Sequence, residues 1–337
     1  MCLTVTDMVL YHSVSFFQLL EVILHRQKYH KDEKAVLVLP DFITDKLPEY
    51  EKTVQNGLFD EVYLFPYLHI PHISRTVERT TLRSYDELIP YPIESFDKIY
   101  IAGCHFYFSL VPTKRKVQFT VFEDSPGMIH NRNFLSAPLK KQFPVHAKKA
   151  DRYGLFSFDN KYIERVIVNS RDNSVSKPQS VFSVRDALSE CQGGFIDRIC
   201  DVFGAERINT ANDAVILLTE QFANLGMMSA DEQLRLYRFV CENYINGREL
   251  IIKPHPDDKT DYEKEIGNCR VIKQVFPSEL MPYLLSPVPS EMITVSSTAV
   301  LGFEGMCRTT VLSEDKDFMG KLRELGVPTE HLIRHIG

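Results

Sequence analysis

Short β-branched apolar runs recur along the whole chain, with helix-like stretches between them, and that alternation limits the fold more than any other feature. One set comprises Ala35–Leu39, Glu61–Phe65, Lys98–Ile101, Val117–Val121 and Arg165–Val168. The second comprises Asp213–Leu218, Glu249–Ile252, Cys269–Ile272, Met292–Val295 and Thr309–Leu312. Apolar runs that alternate with helical segments predict parallel sheets, because a parallel neighbour needs a long crossover back to the same edge. The polar run Asn169–Pro178 reads as a loop, and Val184–Phe203 as a helical segment linking the two sets.

At 337 residues the chain exceeds the size at which one hydrophobic core usually stops growing. The expected organisation is α/β, with a Rossmann-like domain over 1–208 and a second over 209–337. Two such halves facing a central cleft would be the layout called GT-B, at this point an analogy of architecture alone. Apolar residues near the start are interrupted by Asp7, His12 and Gln18, which suits a strand at Cys2–Thr6 and a buried helix at Ser15–His25 better than a signal peptide. No segment approaches the roughly 20 apolar residues of a spanning helix. Seven scattered cysteines without a CxxC pair predict neither a disulfide framework nor a zinc site, so a cytoplasmic location is expected. A net charge of −6 argues against nucleic acid as a partner. Basic clusters at Lys114–Lys116 and at Lys140, Lys141, Lys148, Lys149 and Arg152 suit either a solvated face or peripheral contact with anionic lipid at the inner membrane face.

The chemistry should lie where strands run into polar turns, since open α/β sheets bind ligands beyond their strand carboxyl ends. Ile251-Ile-Lys253-Pro-His255-Pro256 places an imidazole between two prolines that restrict the backbone on either side. Such a histidine can hand a proton to a departing phosphate, or simply close a strand end. Val295-Ser296-Ser297-Thr298 precedes a segment able to open a helix, where hydroxyls and backbone N–H groups favour an anion; an isolated Ser-Ser-Thr is more often a plain N-cap. Glu279 follows Pro277 at another helix start and suits a pair of ribose hydroxyls or the helix dipole. Ser229 and Glu232 form a capping box that leaves Asp231 as the freer carboxylate. Glu123 and Asp124 enter a turn after an apolar strand and offer a second source of a base. Asp315-Lys-Asp317 spells a metal triplet but sits at a helix start.

Taken together, Lys253-Pro-His255-Pro256, Glu279 and Ser296-Ser297 resemble the bacterial sialyltransferases of GT-B type, most closely the lipooligosaccharide and capsule enzymes of glycosyltransferase family 52. The resemblance implies a CMP-sialic acid donor and a glycan or glycolipid acceptor ending in a galactose-type hydroxyl, with no cofactor and no metal. It assigns departure of the CMP phosphate to His255, binding of that phosphate to Ser296 and Ser297, and the ribose to Glu279, with Lys253 near the cytosine or the phosphate; Pro256 and Thr298, next in sequence to these motifs, are further expected donor-binding residues. The related acidic motif ends directly in glycine, whereas here Ser125 and Pro126 intervene before Gly127, so Asp231 and Asp124 stand level as the base, with Glu123 behind them. A homodimer fits the family. Transferases using CMP-Kdo or CDP-polyol donors, a non-catalytic sugar-nucleotide binding protein and a UDP-sugar epimerase of the same shape remain alternatives.

Overall fold

In the computed structural model, residues 7–123, 140–141, 143–171, 173, 175–330 and 332 are described. The chain divides into two units between Phe203 and Gly204. The first holds a parallel sheet of β1 (Met8–His12), β2 (Lys34–Pro40), β3 (Glu61–Phe65), β4 (Lys98–Ile101), β5 (Phe119–Phe122), β6 (Ile163–Val168) and β7 (Gln179–Val181), in the order β3-β2-β1-β4-β5-β6-β7. Helices α1 (Phe16–Tyr29), α2 (Val77–Leu88), α3 (Leu110–Arg115), α4 (Pro144–Arg152), α5 (Val184–Ser189) and α6 (Gly193–Val202) accompany it. Val9, Leu10 and Val36 to Leu39 are fully buried, as expected of strands covered on both faces.

The expected strand at Cys2–Thr6 lies outside the described residues; the first described strand is Met8–His12. His12 does not break it, because its Nδ1 and Nε2 are satisfied internally by Ala102 O (3.0 Å) and the Tyr67 hydroxyl (3.0 Å). Ser15 caps α1, its side chain accepting the Gln18 N–H at 3.3 Å. At the point where strand order reverses, between β1 and β4, Gly103 adopts a left-handed φ of +69°, and a Cβ built there would come within 2.5 Å of Val14 Cγ2. Val184–Phe203 forms two helices rather than one. The break falls at Glu190-Cys191-Gln192, just before Gly193-Gly194, poor helix formers that begin α6. The missed strand β7 is three residues long and sits on the sheet edge, too short to show a period.

The second unit contains β8 (Ile208–Asn209), β9 (Val215–Leu218), β10 (Leu250–Lys253), β11 (Arg270–Val271), β12 (Leu285–Ser286), β13 (Glu291–Thr294) and β14 (Arg308–Val311). Its main sheet runs β11-β10-β9-β13-β14, all parallel, while β8 and β12 pair separately. Two further helices are α7 (Ala230–Tyr244) and α8 (Lys316–Glu324). The capping box at α7 is complete: the Ser229 N–H donates to Glu232 Oε2 at 2.6 Å and the Glu232 N–H to Ser229 Oγ at 3.2 Å. Leu236, Tyr237 and Val240 bury its inner face against β9 and β10. Strand register aligns the carboxyl ends of this sheet. Lys253 pairs with Leu218, and Leu218 with Thr294, so the residues after β10, β9 and β13 leave the sheet at one level.

Candidate functional site

Across that level edge, β10 delivers Lys253-Pro254-His255, β9 delivers Thr219-Glu220, and β13 delivers Val295-Ser296-Ser297. With β9 between them, β10 and β13 stand about 10 Å apart, two strand spacings. The reversal of strand order falls between β9 and β13, the usual ligand crevice of an open sheet.

His255 is partly exposed, and its Nδ1 accepts the backbone N–H of Asp257 at 3.1 Å. That bond fixes the neutral tautomer with its proton on Nε2, which makes Nε2 the donating atom. The turn is braced by Asp258. Its carboxylate accepts from Tyr262 Oη (2.6 Å), Thr219 Oγ1 (3.1 Å), Gln233 Nε2 (3.1 Å) and the Thr260 N–H (3.0 Å). Gln233 is buried in the first turns of α7, two positions beyond Asp231, so the helix bearing that exposed carboxylate is tied to the turn bearing His255. A cavity of about 240 Å³ opens here, walled by Lys253, His255, Pro256, Tyr262 and Lys273. Ser296, Ser297 and Glu279 do not line it.

Lys253 is 3 % exposed, with its ammonium 4.7 Å from the centre of the Phe276 ring. Burial lowers its pKa to about 8, and the opposing charge of Glu279 limits the fall. Glu279 lies in a single 3-10 turn, Ser278–Leu280, rather than in the first turn of an α-helix. Its surroundings exclude enough water to push its carboxyl up to about 7 against the pull of Lys253, although part of the side chain remains exposed. The turn packs on the 3-10 segment Thr298–Phe303, which brings Glu279 beside the serine pair's segment.

Here the structure departs from the expected phosphate site. The Ser296 N–H and hydroxyl both address Glu220 Oε1, at 2.7 and 3.2 Å, and the Ser297 N–H donates to Thr294 Oγ1 at 3.0 Å. The Ser297 hydroxyl accepts the Ala299 N–H at 3.3 Å, which leaves its own proton to donate. Thr298 begins a six-residue 3-10 segment, not the expected α-helix. Glu220 is a member of the site that sequence reasoning missed. Its carboxylate also accepts from Thr294 Oγ1 (3.0 Å) and Tyr237 Oη (2.8 Å), while burial raises its pKa against these bonds. Four donors from α7 and the end of β13 make it the clasp of the crevice.

The remaining candidates separate cleanly. Glu123 is 2 % exposed and its Oε1 accepts the Asn169 N–H at 2.7 Å, so it fastens the end of β5 to the segment after β6 instead of facing an open edge. Asp124 lies outside the described residues. Asp231 is exposed in the first turn of α7. Asp315 caps α8 through the Asp317 and Phe318 N–H groups, the helix-start role expected of it.

The sequence model of the family described as alpha-2,8-polysialyltransferase (POLYST) matches residues 17–313, most of the chain. The chain belongs to that family. This polysialyltransferase-family protein is 24 % identical over 262 residues to an uncharacterised protein of Haemophilus influenzae, covering 76 % of this chain and 78 % of the relative. Its structure is similar to an alpha/beta-galactoside alpha-2,3-sialyltransferase from Photobacterium phosphoreum, with a TM-score of 0.56 at 11 % identity over 98 % of both chains. A UDP-N-acetylglucosamine 2-epimerase from Neisseria meningitidis, bound to UDP-GlcNAc, gives 0.52 at 14 % identity, over 98 % of this chain and 87 % of that one. At such identities the structural likeness speaks for the fold, which is that of GT-B enzymes. Family membership makes the chemistry a sialyltransferase-type glycosyl transfer, with a sugar-nucleotide donor and a glycan acceptor.

Proposed function

We propose that this family member is an inverting, metal-independent sialyltransferase that uses CMP-sialic acid and transfers to a galactose-type hydroxyl of a surface glycan. One observation carries the reading: β10 delivers the proton-bearing Nε2 of His255 and the buried ammonium of Lys253 to the level edge, and the 3-10 turn Ser278–Leu280 sets the Glu279 carboxyl within electrostatic reach of that ammonium. In the proposed step, Asp231 takes the proton of the acceptor hydroxyl as its oxygen attacks the anomeric carbon. The bond to the CMP phosphate breaks, and its electron pair leaves with the phosphate oxygen, which the His255 Nε2–H protonates or holds. Lys253 and the Ser297 hydroxyl supply charge and a hydrogen bond to the departing group, and Glu279 takes the ribose hydroxyls. Pro256 completes the wall. Ser296 serves differently from the sequence expectation, holding the loop to Glu220 so that Ser297 is presented.

A pre-placed donor to the leaving group contributes roughly 3 to 4 kcal/mol to barrier lowering in a water-poor site. Donor hydrolysis and transfer should therefore be measured with CMP-sialic acid, CMP-Kdo, CDP-glycerol and UDP-N-acetylglucosamine, with and without a chelator. Turnover of CMP-sialic acid alone, unchanged by chelation, supports the proposal. Preference for another donor, or loss of activity on chelation, rejects it. CMP binding without turnover would indicate a sugar-nucleotide binding protein.

A further inference from the structure

Of the basic residues left unused by the sheet edge, Lys148, Lys149 and Arg152 lie on α4. One face of this helix is committed to the fold: His146 Nε2 meets His105 O at 2.6 Å, and Lys149 Nζ pairs with Glu78 Oε1 at 2.5 Å. Glu78 also takes Lys114 at 2.9 Å. Burial works to raise the Glu78 pKa, but these two ammonium groups outweigh it and hold the carboxyl down at about 2. The other face presents exposed Lys148 and Arg152 one turn apart, and neither has a carboxylate within ion-pair distance among the described residues.

Both ends of the helix extend this surface. At the amino end Phe143 is 44 % exposed with its ring 6.0 Å from that of His72, and the adjoining loop holds out Ile73 (52 %) and Leu68 (69 %) beside exposed Arg75. At the carboxyl end a cavity of about 600 Å³ is walled by Lys114, Lys116, Arg152 and Lys161, with Tyr153 and Tyr162, and these four cations outnumber its two carboxylates, Asp151 and Asp159. Its cations lie over its rings, Lys161 at 4.9 Å from Tyr162 and Arg152 at 5.5 Å from Tyr153. The wall is pre-shaped by buried Asn160, whose Nδ2 donates to Tyr153 O (2.8 Å) and whose Oδ1 accepts the Tyr162 N–H (2.9 Å).

We infer that this face of α4 docks on an anionic lipid surface. Phe143 and Ile73 enter the interface, Lys148 and Arg152 lie over the headgroups, and the cavity receives one headgroup phosphate. Charge complementarity selects that occupant: a chain of net charge −6 is repelled by anionic surfaces in general, so a cationic strip edged by exposed apolar side chains runs against its overall sign. Among the described residues no helix is long and apolar enough to cross a membrane, so the contact is peripheral.

The test is co-sedimentation of the full chain with vesicles of phosphatidylcholine alone and of phosphatidylcholine mixed with phosphatidylglycerol. Binding is expected only to the mixed vesicles, weakened by salt and reduced about fivefold for each cation removed. Lys148→Glu with Arg152→Glu should abolish it while transfer to a soluble acceptor keeps its wild-type rate, and Phe143→Ser should weaken it without changing the salt response. Equal binding to neutral vesicles, no binding to either, or wild-type binding by the double variant would overturn the inference. So would retention of soluble polysialic acid on this face when the mixed vesicles do not bind. The two charge variants leave the Lys149–Glu78 and Lys140–Asp151 ion pairs of this region intact, so they decide the matter even if the Phe143 variant does not fold.

Discussion

Each unit sets a histidine at the carboxyl end of a parallel strand, and the two are treated in opposite ways. His12 ends β1 fully buried, bonded through both ring nitrogens and stacked on Phe108 with centroids 4.5 Å apart. Burial lowers its pKa to about 3, so it stays neutral in water of any ordinary pH. His105 and His146 nearby are likewise buried, with pKa values lowered to about 3 and about 4. His255 instead stands partly exposed on a turn, with one nitrogen anchored to its own backbone. The lesson is that residue type and strand position do not distinguish a core histidine from a reactive one. What distinguishes them is burial: His12 is sealed from water, whereas the His255 side chain is 38 % exposed.

The largest expected effect tests that contrast directly. His255→Ala should lower turnover a hundredfold or more with an unchanged melting curve, as removal of a leaving-group donor does, and Asp231→Asn should fall alongside it. Near-normal turnover in a steady-state transfer assay would erase the distinction between the two histidines. His12→Ala should do the reverse. It opens a cavity and strands the Tyr67 hydroxyl and Ala102 carbonyl, a cost of about 3 kcal/mol in urea unfolding, with little change in the turnover of the protein that remains folded. Glu220→Ala should come next, at about 2 kcal/mol, because it leaves four donors in the crevice short of an acceptor. Donor KM should rise as the Ser297 loop loosens, whereas Glu220→Gln should recover much of the stability.

The smallest effect is one of pH. Glu279 has a folded pKa near 7, above its ordinary 4.5. Between those values the unfolded chain has released the proton that the folded chain keeps, so stability falls as pH rises through this window. With the partial exposure of the side chain discounted, the loss is about 1 to 2 kcal/mol. Glu279→Gln should flatten that slope in thermal melts across the window. Lys253 acts higher up and with the other sign: its share of stability is complete above its ordinary 10.5 and is lost as pH falls through about 8.

Much of the molecule was legible in its residues. Short runs rich in β-branched and aromatic residues mark strands, so Glu61–Phe65 and Lys98–Ile101 could be read to the residue. Pro-His-Pro and the Ser229 capping box are local patterns, and local patterns survive into structure. Glu220 was hidden for the opposite reason. Nothing around it marks it out, and its role appears only when β13, more than seventy residues later in the chain, settles against β9 and turns Ser296 toward it. The demotion of Glu123 has the same origin, since its partner is a backbone N–H beyond β6.

The tight passage at Gly103 has a practical side. With a hydrogen as its whole side chain and Val14 pressed close, that position tolerates no methyl group without shifting the joint between the two halves of the first sheet. Gly103→Ala is thus a natural choice for a heat-sensitive allele: sialylation in living cells should proceed on cool plates and fail on warm ones, with every residue of the reacting edge untouched.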